Sequence, residues 1–202
     1  MRAFFAETGT VESLKKMQTH DIGRMWSRDH PRLYENEVWG FDNGAWSAFV
    51  SGKKFPGDEF LNRLDRAYDK GMPYIAVCPD IVMGGMKSLE FSLMWRENLP
   101  DEWPWYLAVQ DGMELMDVYP FITDFSGIFV GGSRTFKSSA SSWKQLGKPV
   151  HMARVGTRKM LNTATRHGVD SFDSATPVVN GQKYLDMFLS WYLEGDPQSE
   201  LF

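Results

Sequence analysis

Short apolar runs alternate along the chain with stretches whose apolar positions recur at helical spacing. The later runs are continuously apolar, which is typical of parallel strands that are covered on both faces. The pattern predicts eight strands, at residues 2–6, 24–27, 37–41, 74–78, 105–109, 127–130, 149–153 and 169–172.

Helices are predicted between most of these strands, and the clearest covers residues 56–70. Pro56 suits its first turn, and Asp58 and Glu59 favour its positive end. Its predicted apolar stripe consists of Phe60, Leu61, Leu64, Ala67 and Tyr68. The other predicted helices cover 11–19, 87–98, 113–123, 138–146, 158–166 and 182–193, and Pro120 is a candidate break in the segment 113–123.

The order of elements predicts an α/β fold, a small single-domain (β/α)8 TIM barrel over residues 1–202. An open doubly wound sheet is the alternative, because the link between the second and third strands is short. That link contains Asp29-His30-Pro31 and is predicted as a loop. Residues 168–177 are expected to form a helix end at Gly168, a short strand, and a turn at Thr176-Pro177 that ends it.

Composition narrows the class of protein. The net charge of −4 gives no global attraction to a polyanion, so a nucleic-acid site would need a local basic patch. Cys78 is the single cysteine, which excludes an internal disulfide and fits a reducing, cytoplasmic compartment. We expect neither a membrane span nor a signal peptide.

Polar residues and glycines follow the predicted strands at the end where a barrel carries its active site. Taken singly, each would be a turn former, a helix cap or a loop residue. Together they predict one convergent site. These residues are Asp42, Asp80, Gln110, Gly131, Gly132, Arg154 and Asp173.

These residue types suit the chemistry of a glycosidic bond. One carboxylate can attack an anomeric carbon while another handles a proton. An amide and glycine backbone groups suit the hydrogen-bonding edge of a planar base. Cys78 and the four histidines are too scattered to predict a metal site, and no phosphate-binding loop is present.

The ordered motifs resemble those of the tRNA-guanine transglycosylases. Residues 41–46 (FDNGAW) resemble that family's Asp-Ser-Gly-Gly-Phe motif, and residues 109–112 (VQDG) its Val-Gln-Gly-Gly. Residues 127–132 resemble the family's glycine-pair strand, and 151–156 the strand leading to its Gly-Val-Gly. Residues 168–177 are similar to its Gly-(Val/Ile)-Asp-Met-Phe-Asp-Cys segment.

The resemblance implies a role for each matched residue. Asp173 matches the nucleophile, and Asp42 the aspartate that contacts the base and handles protons. Asp80 and Gln110 match base-recognition positions. Gly131 and Gly132 match the backbone contacts to the base.

The chain also departs from the tRNA enzymes. Asn43 replaces a serine and Asp111 a glycine, and we expect no cysteine-rich zinc module after the barrel. A sequence without that module is more similar to the DNA-modifying branch of the superfamily, whose members are often carried by phages. That branch exchanges guanine in DNA for a 7-deazaguanine, such as the 7-cyano form.

The resemblance implies an enzyme that uses DNA and a free 7-deazaguanine base, with tRNA the less favoured substrate and no metal or redox cofactor. A non-catalytic nucleic-acid-binding subunit and a hydrolase that releases the base remain alternatives. The last third of the chain carries basic residues that either contact DNA or are solvated, and Arg154 is the best candidate for a phosphate contact. This basic set comprises Arg134, Lys137, Lys144, Lys148, Arg154, Arg158, Lys159 and Arg166.

Overall fold

The computed structural model describes residues 1–8, 10–27 and 37–195. Their strands are β1 (Arg2–Ala6), β2 (Gly23–Trp26), β3 (Trp39–Phe41), β4 (Ile75–Val77), β5 (Trp105–Val109), β6 (Gly127–Val130), β7 (Val150–Met152) and β8 (Ser171–Ser174). Each strand pairs in parallel with the next, and β8 pairs with β1 to close a barrel. The predicted (β/α)8 barrel is confirmed, and the open doubly wound sheet is excluded.

Ten helices lie within the described ranges. They are α1 (Val11–Thr19), α2 (Ala45–Val50), α3 (Gly57–Tyr68), α4 (Met86–Arg96), α5 (Leu115–Val118), α6 (Arg134–Lys137), α7 (Ala140–Trp143), α8 (Arg158–Arg166), α9 (Thr176–Val179) and α10 (Gln182–Glu194). Two 3₁₀ turns cover Tyr119–Asp124 and Lys144–Leu146. None of the described helices combines the length and apolarity needed to cross a bilayer.

Large side chains fill the lower part of the barrel interior and leave its carboxyl end open. Phe4, Met25, Ile75 and Tyr106 form one buried cluster inside the ring of strands. Glycine makes room for these side chains. A Cβ atom on Gly127 would lie 2.3 Å from the Tyr106 ring. The interior is thus closed below, which confines any ligand to the carboxyl end.

A second apolar layer lies between the strands and the helices. It contains a cluster of aromatic rings around Phe41, which contacts Trp26, Phe60, Trp103 and Trp105 at centroid distances of 5.3–6.3 Å. Each such ring removes a large apolar area from water, so this layer anchors α3 against β3 and β5.

Several local predictions were wrong in ways that have physical causes. The segments 113–123 and 138–146 each divide into a short α-helix and a 3₁₀ turn, with Pro120 at the start of one 3₁₀ turn. The stripe of α3 differs as well, because Leu61 and Tyr68 are exposed while Arg63 is buried. The predicted loop at residues 29–31 lies outside the described residues.

The predicted strand at 169–172 is displaced along the chain. β8 continues to Ser174, so Asp173 lies within the strand and not beyond it. Thr176 and Pro177 do not form a simple turn, because they begin α9. Proline is well tolerated there, since the first turn of a helix needs no amide hydrogen.

Candidate active site

All seven residues predicted to form the site line one cavity of about 630 Å³. The cavity lies at the carboxyl ends of the strands, because alternate residues of a barrel strand face inward and the last inward positions border its mouth. These seven residues are Asp42, Asp80, Gln110, Gly131, Gly132, Arg154 and Asp173. The barrel therefore brings together groups from six separate strand ends.

Asp173 projects into the cavity from β8, and its side chain is 14% exposed. Its Oδ1 atom lies 3.1 Å from Nε2 of His151 and accepts a hydrogen bond of 3.1 Å from the Arg154 backbone amide. The Arg154 amide, and Nε2 of His151 when it carries the ring proton, donate to the same oxygen and fix the direction of the carboxylate at the cavity wall. The position suits attack on a bound ligand.

His151 is a site residue that the sequence analysis did not single out. It is fully buried in β7, its ring stacks on Phe129 at 5.0 Å, and its Nδ1 lies 2.8 Å from the Ser171 hydroxyl. If Nε2 carries the ring proton, it donates to Asp173 while Nδ1 accepts from Ser171. The signal available in sequence was its strand position, which points inward beside Asp173.

Arg154 contacts Asp173 through its backbone amide, and its charge attracts the same carboxylate. Its φ of 56° lies in the left-handed region, which is costly for a residue with a side chain. This conformation directs the amide at Asp173 and the guanidinium outward, where it lies 3.4 Å above the Trp46 ring. The pair forms one wall of the cavity mouth, and α2, which carries Trp46, was not predicted.

Asp42 and Asp80 form a linked pair of carboxyl groups on the opposite side of the cavity. Asp42 accepts a 2.6 Å hydrogen bond from the Gly44 amide, and Asp80 accepts one of 2.8 Å from the Asn43 side chain. Burial raises the pKa of Asp42, with the charge of Asp173 adding to the effect. Burial likewise raises the pKa of Asp80 to about 6, and the charge of Asp42 contributes. The protonated form of both groups is therefore favoured over that of an ordinary aspartate.

Arg63 of α3 fixes the loop that carries Asp42. Its guanidinium donates to the backbone carbonyls of Ser27, Asp42 and Asn43 at 2.7–3.1 Å. The same group lies 5.6 Å from the centroid of the Phe41 ring. The residue following β3 is thus positioned by a cation from a neighbouring helix.

Gln110, Gly131 and Gly132 supply polar groups on a third side of the cavity. Gln110 is 3% exposed, and its amide donates to the Ile81 carbonyl at 2.9 Å. The Gly131 amide donates to Val109 at 2.8 Å, which removes it as a donor for a ligand. Within the described ranges, the Gly132 amide has no hydrogen-bond acceptor, so it is free to bind one.

Gly132 is needed for the approach of the next loop. Its φ is 70°, and a Cβ atom there would lie 2.4 Å from Asp111 Oδ2. Asp111 accepts 2.6 Å hydrogen bonds from both the amide and the hydroxyl of Ser133, and these bonds lower its pKa. The aspartate that replaces a glycine of the resembled motif thus ties two mouth loops together.

The basic residues of the last third do not form one surface. Arg134, Lys137, Arg154, Arg158 and Lys159 follow β6 or β7 and lie towards the cavity mouth. The remaining basic residues precede β7 or β8 and belong to the amino end: Lys144, Lys148 and Arg166. Lys144 illustrates this placement, since it donates to the Gly168 carbonyl.

Among the described residues, no three His, Cys, Asp or Glu side chains are grouped so that they could hold a metal ion. The polar groups of the cavity are instead arranged as carboxyl groups, an amide and backbone groups around an open volume. No protein-family model matches the chain, and no curated protein matches it either.

Proposed function

We propose that the protein is a base-exchange transglycosylase that replaces guanine in DNA with a 7-deazaguanine, such as the 7-cyano form. The observation that carries the proposal is the placement of Asp173 and Asp42 in one cavity, with Asp80 and Gln110 beside them. A carboxylate directed by two donors faces carboxyl groups of raised pKa. Such a division of roles suits nucleophile and proton carrier at a glycosidic bond.

In the first half-reaction, Asp173 attacks the anomeric carbon of the target deoxyguanosine. The bond from that carbon to N9 breaks, and its electron pair leaves with guanine. A proton held by Asp42 neutralises the departing base, because burial favours its protonated form. A covalent aspartyl–sugar ester remains.

In the second half-reaction, a free 7-deazaguanine occupies the emptied base pocket. Asp42, now ionised, accepts the N9 proton of the incoming base, and N9 attacks the anomeric carbon. The ester bond breaks and returns the electron pair to Asp173. Two inversions give net retention at the sugar.

Gln110, Asp80 and the Gly132 amide are proposed to read the edge of both bases. Asp80 can accept from the base or, when protonated, donate to it, and its pKa of about 6 makes both states accessible. Guanine and 7-deazaguanines share this edge. A pocket that recognises it therefore accepts the leaving base and the incoming base in turn.

The mouth of the cavity offers groups that fit an unstacked nucleotide strand. Trp46 and Met83 are exposed there, with Met83 at 78%, Phe49 packs beside Trp46, and Arg154 adds a cation. Aromatic side chains stack bases, and a target base must leave the duplex to reach such a pocket. We place the reaction in the cytoplasm, with a phage-infected host as one setting for it.

The proposal is tested by incubating the protein with duplex DNA and a panel of 7-deazaguanine bases. The DNA is then digested, and its nucleosides are identified by mass spectrometry. We expect a new deoxynucleoside carrying the added base, with release of an equal amount of guanine. Asp173→Asn serves as the matched control and is expected to give neither product.

The alternatives give different results in the same experiment. Guanine release without incorporation would identify a base-releasing hydrolase. DNA binding without either product would identify a non-catalytic subunit. Modification of tRNA with no change in DNA would overturn the assignment of the substrate.

A further inference from the structure

Lys137 places a cation in the wall of the cavity. It ends α6, is 5% exposed and lines the cavity. Within the described ranges, its ammonium group makes no ion pair and no hydrogen bond, although its backbone amide donates to Ser133. The stem of Lys137 is covered by protein, but its ammonium nitrogen is not among the fully buried unsatisfied atoms of the described residues, so it faces the open cavity and can bind a ligand there.

The charged groups that face Lys137 come from four elements. Asp173 of β8 and Asp111 beyond β5 attract it, while Arg154 beyond β7 and Arg134 of α6 repel it. Among the described residues, neither carboxylate forms an ion pair with the ammonium group, although both attract it; their nearest hydrogen-bond partners are Ser133 for Asp111, and His151 and the Arg154 amide for Asp173. The ammonium group therefore remains available to an anion that enters the cavity.

We propose that Lys137 binds an oxygen of the phosphodiester next to the target nucleotide. This inference rests on the proposed function, because Asp173 then marks the position of the sugar. Lys137 interacts electrostatically with Asp173 but is not bonded to it, so a sugar attached to Asp173 would bring its flanking phosphate towards the ammonium group. Asp80 and Gln110 are proposed to bind the edge of the base. The anionic group of the nucleotide that remains for Lys137 is therefore the phosphate.

The test is a double-mutant cycle between Lys137 and single phosphates of the DNA. The probe is a duplex with one G·C pair among A·T pairs, carrying a neutral methylphosphonate 5′ or 3′ to the deoxyguanosine. Lys137→Met is expected to weaken binding of unmodified DNA by about 30-fold, since it breaks a buried charge pair. One of the two methylphosphonates should weaken DNA binding by the wild-type protein by the same factor as Lys137→Met does. The same methylphosphonate should cause no further loss of affinity in Lys137→Met.

Additive effects at both phosphates would overturn the proposal, as would unchanged affinity in Lys137→Met. Lys70→Met is the matched control, because Lys70 is exposed beyond the end of α3, away from the mouth. Base exchange by the wild-type protein, measured on the same DNA, separates the two ideas. If base exchange occurs but the effects of Lys137→Met and of the methylphosphonates are additive, only the phosphate contact is refuted. If DNA binds and the two effects are coupled but no exchange occurs, only the proposed function is refuted.

Stability distinguishes a binding role for Lys137 from a structural one. Since burial lowers the pKa of Lys137, its charged form opposes folding at neutral pH, and Lys137→Met is expected to raise the melting temperature of the free protein. A structural lysine would instead give a lower melting temperature, and that result would count against the proposal. Lys137→Arg keeps the charge and is expected to retain at least part of the coupling.

The contact should also depend on pH. Burial lowers the pKa of Lys137 to about 8, with Arg154 and Arg134 contributing, so the free site loses its positive charge above that pH. The coupling between Lys137 and the phosphate should therefore decrease as the pH rises above about 8. In Lys137→Arg the coupling should persist to higher pH, and equal pH profiles for the two proteins would contradict this assignment.

Discussion

Asp173 and Asp42 approach the same cavity from different strands, and their immediate neighbours give them different chemistry. Asp173 accepts hydrogen bonds from the Arg154 amide and lies beside His151. Within the described residues Asp42 accepts one hydrogen bond, from the Gly44 amide, and burial raises its pKa. The proposed mechanism needs this difference, since a nucleophile must be ionised and a general acid must hold a proton.

Asp173→Asn should preserve the fold and DNA binding while reducing base exchange by about three orders of magnitude or more. Asparagine keeps the oxygen that accepts from His151 and Arg154 but is a poor nucleophile. Exchange rates by mass spectrometry and melting by circular dichroism measure the two effects. Full activity would refute the nucleophile assignment, and unfolding would indicate a structural role.

Covalent trapping separates the two aspartates. A denaturation-resistant adduct with DNA should form with wild-type protein and be absent in Asp173→Asn. In Asp42→Asn, the adduct should form more slowly and turnover should fall, because Asp42 is proposed both to protonate the departing guanine and to accept the proton of the incoming base. Electrophoresis under denaturing conditions reveals the adduct, and its presence in Asp173→Asn would exclude Asp173 as the attached residue.

Asp80 should lower the stability of the protein at neutral pH. Its pKa is about 6 in the folded chain against an ordinary value of 3.8, so the folded state holds more protons between these values. Stability then falls as the pH rises from about 4 to 6 and levels off above. Asp80→Asn should gain about 3 kcal/mol at pH 8 and nothing near pH 3.5, measured by urea unfolding.

Asp111→Asn is a control for Asp80→Asn, because it should change the stability at pH 8 in the opposite direction. Hydrogen bonds from Ser133 lower the pKa of Asp111, so its ionised form stabilises the folded state above its ordinary pKa. That contribution is lost as the pH falls. Asp111→Asn should therefore reduce stability at pH 8, and a gain there would contradict the pairing with Ser133.

At the scale of elements, α3 does more than cover the barrel, because it delivers Arg63 to the loop after β3. Arg63→Leu should destabilise the protein by about 3 kcal/mol or more, since three backbone carbonyls lose a charged donor. Exchange should fall further, because Asp42 loses its support. Denaturant unfolding and exchange assays measure these effects, and Lys70→Leu should change stability by less than about 0.5 kcal/mol.

The alternation of elements was predictable because continuous apolar runs and helical stripes are local patterns. β1, β5 and β6 have the predicted boundaries, as does α1. α2 was missed because Asp42-Asn43-Gly44 reads as a turn, whereas the left-handed Gly44 in fact begins a helix. Arg63 was missed because burial of a charged residue depends on carbonyls that come from elsewhere in the chain.

The residues of the site were likewise predictable only in part. Strand ends could be located from sequence, so Asp42, Asp80, Gln110 and Asp173 could be predicted to share one mouth. Two other features depend on how separate loops meet: the contact of Trp46 with Arg154 and the position of Lys137 in the cavity wall. No local pattern carries that information.

At the scale of the whole molecule, the basic residues of the last third are divided between the two ends of the barrel. We therefore predict that the proposed DNA substrate contacts the mouth and not the amino end. Arg158→Ala or Arg154→Ala, at the mouth, should weaken DNA binding and reduce the slope of log affinity against log salt by about 0.9. Lys148→Ala, at the amino end, should leave both unchanged. Fluorescence anisotropy at several salt concentrations provides the measurement, and equal effects at both ends would indicate non-specific binding.

The single cysteine gives the barrel a built-in chemical reporter. Cys78 follows β4, is fully buried, and its thiol pKa is raised by burial, so a thiol reagent can reach it only when the barrel opens. Its labelling rate therefore measures the population of open molecules. A base or DNA strand that binds only the closed barrel must slow labelling in proportion to its occupancy. Ligands for this cavity can thus be ranked by reaction at Cys78, before any exchange reaction has been observed.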